Sequence, residues 1–233
     1  MKRSEVEWAI AWAKGFLKKE NFMVPEFGYW KKEDFEKADD IDRIKQLMLG
    51  WDVTDYGMGD FKKLGSILFT VRNGSIHDPS AGTPYAEKLI PILEGQRLPM
   101  HFHYSKTEDI INRAGGILYI RLYNSREDGS VDDKSDVTVY MDGIKKVVGA
   151  GEELEITTGN SITLTPGMYH LFGAKDGCGD LLVGEVSAIN DDHCDNHFAE
   201  QVSRFSQIEE DADQTVILCN EYGRLPGKRG QAQ

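Results

Sequence analysis

Along the chain the apolar positions change their period. Over the first segment Val6, Ala9, Ile10, Ala13, Phe16 and Leu17 recur at the spacing of one helical face, and Ser4 stands where an N-cap is expected. That pattern predicts an amphipathic helix. A second, charged stretch, KKEDFEKADDIDRIKQLMLGWDVTDYG, reads as one more helix ending before Gly50, with its Gly- and Asp-rich tail as loop. From about Gly65 onward the texture becomes short β-rich runs divided by turn residues: SILFTVRNG, EKLIPILEGQRLPMHFH, EDIINRAGGILYIRLYNS, SDVTVYMDG, IKKVVGAGEELEITTGN, SITLTPGMYHLFGAK, DLLVGEVSAIN and QTVILCN. Runs of this length joined through Asn-Gly, Asp-Gly and other glycine turns favour an antiparallel sandwich or barrel over βαβ units. The clearest hairpin is YMDGIKK, where Asp142-Gly143 supplies the positive φ of a type I′ turn.

The expected class is therefore all-β, a jelly-roll-like antiparallel barrel with N-terminal helical additions. Residues 1–60 read as a helical extension packing on the barrel, 61–223 as the barrel domain, and 224–233 as a frayed tail. Charge narrows the function. A net charge of -12 argues against a protein that binds nucleic-acid backbones, which need clustered Lys and Arg, and points to small-molecule partners. The three cysteines, Cys178, Cys194 and Cys219, include no C-x-x-C pair, so free thiols in a reducing compartment are expected. The opening MKRSEVEWAIAWAKGFLKKE lacks the uninterrupted apolar run of a signal peptide, which makes the cytoplasm the expected location.

The chemistry concentrates in residues 101–109, HFHYSKTED. On a strand, His101 and His103 face the same side, whereas Glu108 has the opposite parity and needs a turn to join them. YSKT is short and polar enough to be that turn, bringing Glu108 in on a neighbouring antiparallel strand and lifting Lys106 to the rim. Two imidazoles and a carboxylate suit a divalent transition metal: Mn, Fe, Co, Ni or Zn. For a fourth ligand, His77, His193 and His197 lie in polar, loop-like surroundings, while His170 follows the Pro-Gly turn of TPGMY into a strand, and His170 is the choice. The plain alternative is that His101 and His103 are rim residues bonded to backbone, which is the commoner fate of an isolated His-x-His.

The wider spacing weighs against that alternative. Gly95, His101, His103, Glu108 and Gly115 match the first signature of the cupin superfamily, G-x5-H-x-H-x3,4-E-x6-G, at every fixed position. Gly159, Gly167 and His170 match the second, which departs at Thr165, its proline being displaced to Pro166, and at Ala174 in place of Asn. Beyond these motifs, PYAEKLIPILEGQRLPMHFHYSKTEDIINRAGG, SITLTPGMYHLFG, LLVGEVSAINDDHCDNHF and LCNEY resemble the D-lyxose isomerase family of cupin-type sugar isomerases, from about Pro84 to Tyr222. The resemblance implies one divalent metal per chain, usually Mn2+, and a homodimer. It also implies interconversion of D-lyxose with D-xylulose, and often of D-mannose with D-fructose.

Such chemistry needs a base to carry a proton between C1 and C2 and a group to stabilise the enediolate, a task suited to the metal. Glu185, within the apolar run LLVGEV, is the base candidate, its pKa raised by burial; an outward-facing strand glutamate is the alternative. Lys106 is read as a donor to substrate oxygens, in line with the K.E spacing of the isomerase block, against a solvated turn lysine. Lys88 is a candidate for a sugar hydroxyl or a snorkelling strand lysine. Asp191, Asp192, Asp195 and Asn196 form an acidic loop able to hold hydroxyls, or merely solvated. Trp51 and Phe172 are candidate stacking platforms or core residues, and Glu200 is a second base candidate. Two other functions stay open at this point: an iron cupin dioxygenase and a non-catalytic sugar-binding cupin. The choice between an enediol route and a hydride shift stays open too.

Overall fold

The computed structural model describes residues 1–39, 41–191 and 194–225. Helix α1 spans Arg3–Lys19 and buries Val6, Ala9, Ile10, Ala13, Phe16 and Leu17, the face marked by the apolar spacing. Its start differs from expectation. Lys2 occupies the cap position without a side-chain cap, and Ser4 instead gives its N–H and hydroxyl to Asp211, at 2.9 and 2.8 Å. The charged stretch forms two short helices, α2 (Lys32–Lys37) and α3 (Asp42–Gln46), after a single 3-10 turn at Glu26–Gly28.

The body is two curled antiparallel sheets. In chain order the strands are β1 (Gly50–Thr54), β2 (Ser66–Gly74), β3 (Gly82–Ile92), β4 (His101–His103), β5 (Glu108–Gly115), β6 (Leu118–Ser125) and β7 (Val131–Asp132). There follow β8 (Val137–Met141), β9 (Ile144–Val148), β10 (Glu153–Ile156), β11 (Ser161–Leu164), β12 (Met168–Ala174), β13 (Leu181–Ser187) and β14 (Asn196–Phe198). One sheet has eight strands in the order β1-β2-β3-β13-β5-β11-β8-β9; the other has six members, with β10-β6-β12-β4-β14 in line and β7 beside β6. The Asp142-Gly143 turn between β8 and β9 has φ of 50° and 79°, as a two-residue type I′ turn requires.

The larger core lies between the sheets, where Ile90, Ile110, Ile120, Leu122, Ile162 and Val183 meet. The outer face of the eight-stranded sheet is covered as well: Trp51, Val53, Ile67, Phe69, Leu89 and Leu182 pack with the apolar face of α1. Strands β2, β3 and β13 are therefore buried on both sides through their central stretches, which is why they read as near-continuous apolar runs instead of alternating ones. This is the jelly-roll-like sandwich with helical additions that the pattern predicts.

Two segments depart from the reading. GWDVT, taken as loop, is β1, paired with β2 from Gly50↔Thr70 to Thr54↔Ser66. QTVILCN, taken as a strand, is irregular chain leading into a 3-10 turn at Cys219–Arg224. Its apolar character comes from burial of Val216, Ile217 and Leu218 under the helices, without a ladder partner among the described residues. Among the described residues no helix is long and apolar enough to cross a membrane. Most of the expected tail, residues 226–233, lies outside the described residues.

Candidate active site

Three histidines converge from two neighbouring strands. In the six-stranded sheet β4 pairs with β12 at His101↔His170, and alternation along β4 sends His103 to the same side as His101. Glu108 opens β5 in the other sheet. The YSKT segment is thus a crossing between facing sheets, not a hairpin within one, and this delivers a carboxylate of opposite parity to the same point. Glu108 Oε2 lies 3.3 Å from His103 Nε2, and Oε1 lies 3.2 Å from His170 Nε2.

Backbone carbonyls set the tautomers. His101 Nδ1 sits 2.9 Å from the Pro99 carbonyl and His170 Nδ1 3.0 Å from that of Met168. A carbonyl only accepts, so each Nδ1 carries the proton and each Nε2 is left as a lone pair. These two Nε2 atoms face one another at 3.1 Å. Burial, with His170 and His103 nearby, holds His101 well below the ordinary imidazole range, and burial brings His170 down to about 4. Burial opposes ionisation of Glu108, but Lys106 and His103 outweigh it and hold the carboxyl well below its usual value. His101, His103 and His170 offer ligand nitrogens within 4.8 Å of one another and could hold a divalent transition metal, with the Glu108 carboxylate beside two of them. Among the described residues His103 Nδ1 and Asp195 Oδ2 are both buried without a hydrogen-bond partner, 3.8 Å apart, so a short approach of the carboxylate would steady the imidazole.

A buried ladder of charge continues from Glu108. Lys106 is only 3% exposed, so it sits inside the site and not on its rim. Its Nζ lies 2.9 Å from Glu108 Oε2, 2.8 Å from Glu185 Oε1 and 3.2 Å from Asn190 Oδ1. Lys88 approaches the same acceptors, 3.3 Å from Glu185 Oε1 and 2.8 Å from Asn190 Oδ1. Register explains the meeting, because Glu185 on β13 stands opposite Lys88 of β3 on one side and Ile110 of β5 on the other. Glu185 is buried, yet its pKa moves opposite to expectation: desolvation pushes it up, and the ammonium groups of Lys106 and Lys88 bring it below the ordinary glutamate value. Lys106 is correspondingly pushed up, since Glu108 and Glu185 outweigh its own desolvation.

A chamber of about 30 Å³ lies against these groups, walled also by Phe172, Asn196 and Phe198. It shares Leu68, Lys88 and Arg204 with a vestibule of about 200 Å³ that Asp191 and Asn190 also line. Phe172 is therefore a chamber wall, stacked 6.3 Å from His170. Trp51 is elsewhere: it points to the α1 side of the sheet, packs on Phe69 and donates its indole N–H to Gly28, so it offers no stacking platform. Glu200 is exposed on the outside of the six-stranded sheet, 3.9 Å from Arg97, and is no alternative base. Asp195 stands behind His103 rather than facing a sugar, while Asp192 lies outside the described residues. The residues that sequence reasoning passed over are Asn190, Tyr56, Asp52 and Arg204. Only Tyr56 carries a local mark, a positive φ of 54°, which is visible in coordinates and silent in sequence.

Fold and site together define a cupin-like sandwich with a histidine cluster that could hold a metal ion beside a buried ladder of charged groups. The comparisons make this specific. The D-lyxose isomerase family model matches residues 1–222. The D-lyxose/D-mannose isomerase of Escherichia coli O157:H7 is 41% identical over 95% of this chain and 98% of its own length. That of Serratia proteamaculans is 43% identical over 97% and 99%. The chain belongs to the D-lyxose isomerase family and is an enzyme of the sugar isomerase class. Among solved structures, L-ribose isomerases share the fold: the Acinetobacter sp. DL28 enzyme with L-ribose has a TM-score of 0.59 at 16% identity, covering 90% of this chain and 98% of that one. The Cellulomonas parahominis enzyme with L-ribose has a TM-score of 0.57 at 16% identity, with the same coverage.

Proposed function

We propose that this chain interconverts D-lyxose with D-xylulose, and D-mannose with D-fructose, by moving a proton between C1 and C2. One observation carries the reading: a buried glutamate, Glu185, kept ionised by Lys106 and Lys88, stands at the wall of the chamber that His101, His103 and Glu108 line, with His170 Nε2 3.1 Å from His101 Nε2. A divalent ion held by those four side chains would supply Lewis-acid stabilisation of the substrate oxygens at C1 and C2. Glu185 takes the C2 proton of the aldose and returns it to C1, while the O2 hydroxyl proton passes to O1, so that the C1 carbonyl becomes a hydroxyl and C2 the carbonyl. Glu185 Oε1 is engaged by both lysines, so Oε2 is the oxygen for the proton. Lys106, whose three N–H donors face Glu108, Glu185 and Asn190, turns the one on Asn190, the longest of these contacts at 3.2 Å, to the oxygen charge that develops at C1 and C2, and the buried setting strengthens that bond. Phe172 and Phe198 give the chamber apolar walls beside these ionised groups.

Family membership further supports Mn2+ as the metal, before Co2+, Zn2+, Fe2+ or Ni2+, and a homodimer. The free cysteines support a cytoplasmic location. The test is a screen of C2-epimeric aldoses for ketose formation, with Mn2+ and with chelator. Conversion of D-lyxose and D-mannose, lost with chelator and restored by metal, is the expected result. Ketose formation in a verified metal-free preparation would overturn the metal assignment, and no ketose from either sugar would overturn the reaction.

A further inference from the structure

The space beside the histidines, about 30 Å³, is much the smaller of two that share Leu68, Lys88 and Arg204 as walls, the other being the vestibule of about 200 Å³. A sugar with its reacting end at the histidines therefore extends its other carbons toward the vestibule. Resting on the isomerase reading above, we propose that Asp52 and Arg204 form the subsite for the sugar hydroxyls remote from C1 and C2. This pair then sets the preference between a five-carbon and a six-carbon aldose, which differ only at that end.

Asp52 lies on β1 opposite Leu68 of β2, on the inner face that also presents Lys88 and Glu185. It is 3% exposed. One carboxylate oxygen, Oδ2, accepts from Arg204 Nη1 at 2.7 Å, while Oδ1 is buried and makes no hydrogen bond among the described residues. A buried acceptor left without a donor is unfavourable, and a sugar hydroxyl in the vestibule would supply the missing donor. The guanidinium beside it is the complementary half, because its bond to Oδ2 fixes the carboxylate in the vestibule wall and sets the direction from which Oδ1 accepts. Arg204 is also fixed in place. The segment carrying it is fastened along β1 and the following turn: Ser203 N–H donates to the Tyr56 carbonyl at 3.0 Å, and Ser206 Oγ lies 2.9 Å from both Thr54 Oγ1 and the Asp55 N–H.

Distance separates Asp52 from the proton chemistry. Three strand spacings part β1 from β13, about 14 Å between backbones at ~4.8 Å each. Asp52 therefore contributes binding and discrimination, not proton transfer. A site built to pair a hydroxyl rejects a substrate that cannot offer one in register, so the effect falls on the comparison between sugars.

The experiment uses the metal-loaded enzyme and two variants, Asp52→Asn and Arg204→Lys, assayed with D-lyxose and D-mannose. Binding of D-arabinitol, the reduced form of D-lyxose, is measured by calorimetry on the same samples. Both variants are expected to raise KM about tenfold or more, with kcat within about threefold and bound metal unchanged, and to shift the ratio of kcat/KM between the two sugars. D-arabinitol affinity should fall in parallel. If Asp52→Asn unfolds, Arg204→Lys, which keeps the charge beside Asp52 but loses the fork, decides alone. Unchanged KM, sugar preference and D-arabinitol affinity in a folded variant would overturn the subsite. A wild-type enzyme inactive on both sugars would instead overturn the isomerase reading on which it rests.

Discussion

Arg3, at the start of α1, and Lys106, in the crossing between β4 and β5, are both cations withdrawn from solvent and held between two glutamates. Around Arg3 four of the five N–H donors are answered by carboxylate: Nε and Nη2 reach Glu210 at 2.8 and 2.9 Å, and Nη1 and Nη2 reach Glu221 at 3.2 and 2.5 Å. Glu221 in turn accepts from Gln214, Arg224 and the Leu218 N–H, so its lone pairs are consumed by protein. Beside Lys106 the account stays open. Two imidazole lone pairs face each other, His103 Nδ1 and Asp195 Oδ2 lack partners among the described residues, and a chamber adjoins them. Buried charge alone thus marks architecture as readily as chemistry; unanswered valence beside a cavity marks the site.

The largest effect should follow from opening the site cluster further. His103→Ala or Glu108→Ala is expected to lose bound metal and to lower turnover by roughly three orders of magnitude, checked by metal analysis and ketose formation. Retained metal with near-normal turnover would show that those groups are no ligands. Next comes Glu185→Gln, which keeps the volume but removes the proton acceptor: kcat should fall about 10²- to 10⁴-fold with metal content intact. Intact turnover would take the base role away from Glu185.

The closed cluster predicts the converse. Arg3→Ala should cost about 3 kcal/mol of stability, the low end for a broken buried pair because Glu221 keeps Arg224, while activity per folded molecule stays unchanged. Denaturant melts alongside kinetics test this, and lost activity at full folding would erase the contrast. A smaller change is expected at Asp195. Asp195→Ala should weaken metal affinity about 10- to 100-fold by freeing the His103 ring, read by competition with a chromophoric chelator.

The smallest effect concerns pH. Burial pushes the Asp55 carboxyl up, but the Ser206 hydroxyl and the N–H groups of Gly57 and Gly59 bring it below its ordinary value. A carboxyl with a depressed folded pKa gives stability that is present above the unfolded value of about 3.9 and lost as pH falls through the folded value. Asp55→Asn should therefore flatten the fall in melting temperature below about pH 4 without changing the slope near neutrality.

Sequence made much of this legible where a local rule acts alone. The face of α1, the Asp142-Gly143 hairpin and the convergence of His101, His103, Glu108 and His170 follow from spacing and parity. What escaped depends on which strands become neighbours. The YSKT parity demanded a turn, but nothing in those residues says that the turn changes sheets. The pKa of Glu185 reverses direction because β3 and the crossing segment bring in Lys88 and Lys106, neither of which is near it in the chain. GWDVT carries a glycine and two potential turn formers, and becomes a strand only because β2 offers it an edge. QTVILCN carries strand-like residues and has no edge to join. Asp52 and Arg204 are 152 positions apart and meet only after the segment near residue 204 lies against β1.

The clasp on Arg3 also bears on how the chain comes into being. Its glutamate partners lie 207 and 218 residues downstream. During synthesis α1 emerges before the barrel, yet its guanidinium has no buried partner until all the strands between have been made. The helix that seals the outer face of the sheet is thus completed only by a segment that follows the barrel, and until then the apolar backs of β2, β3 and β13 lack their finished cover.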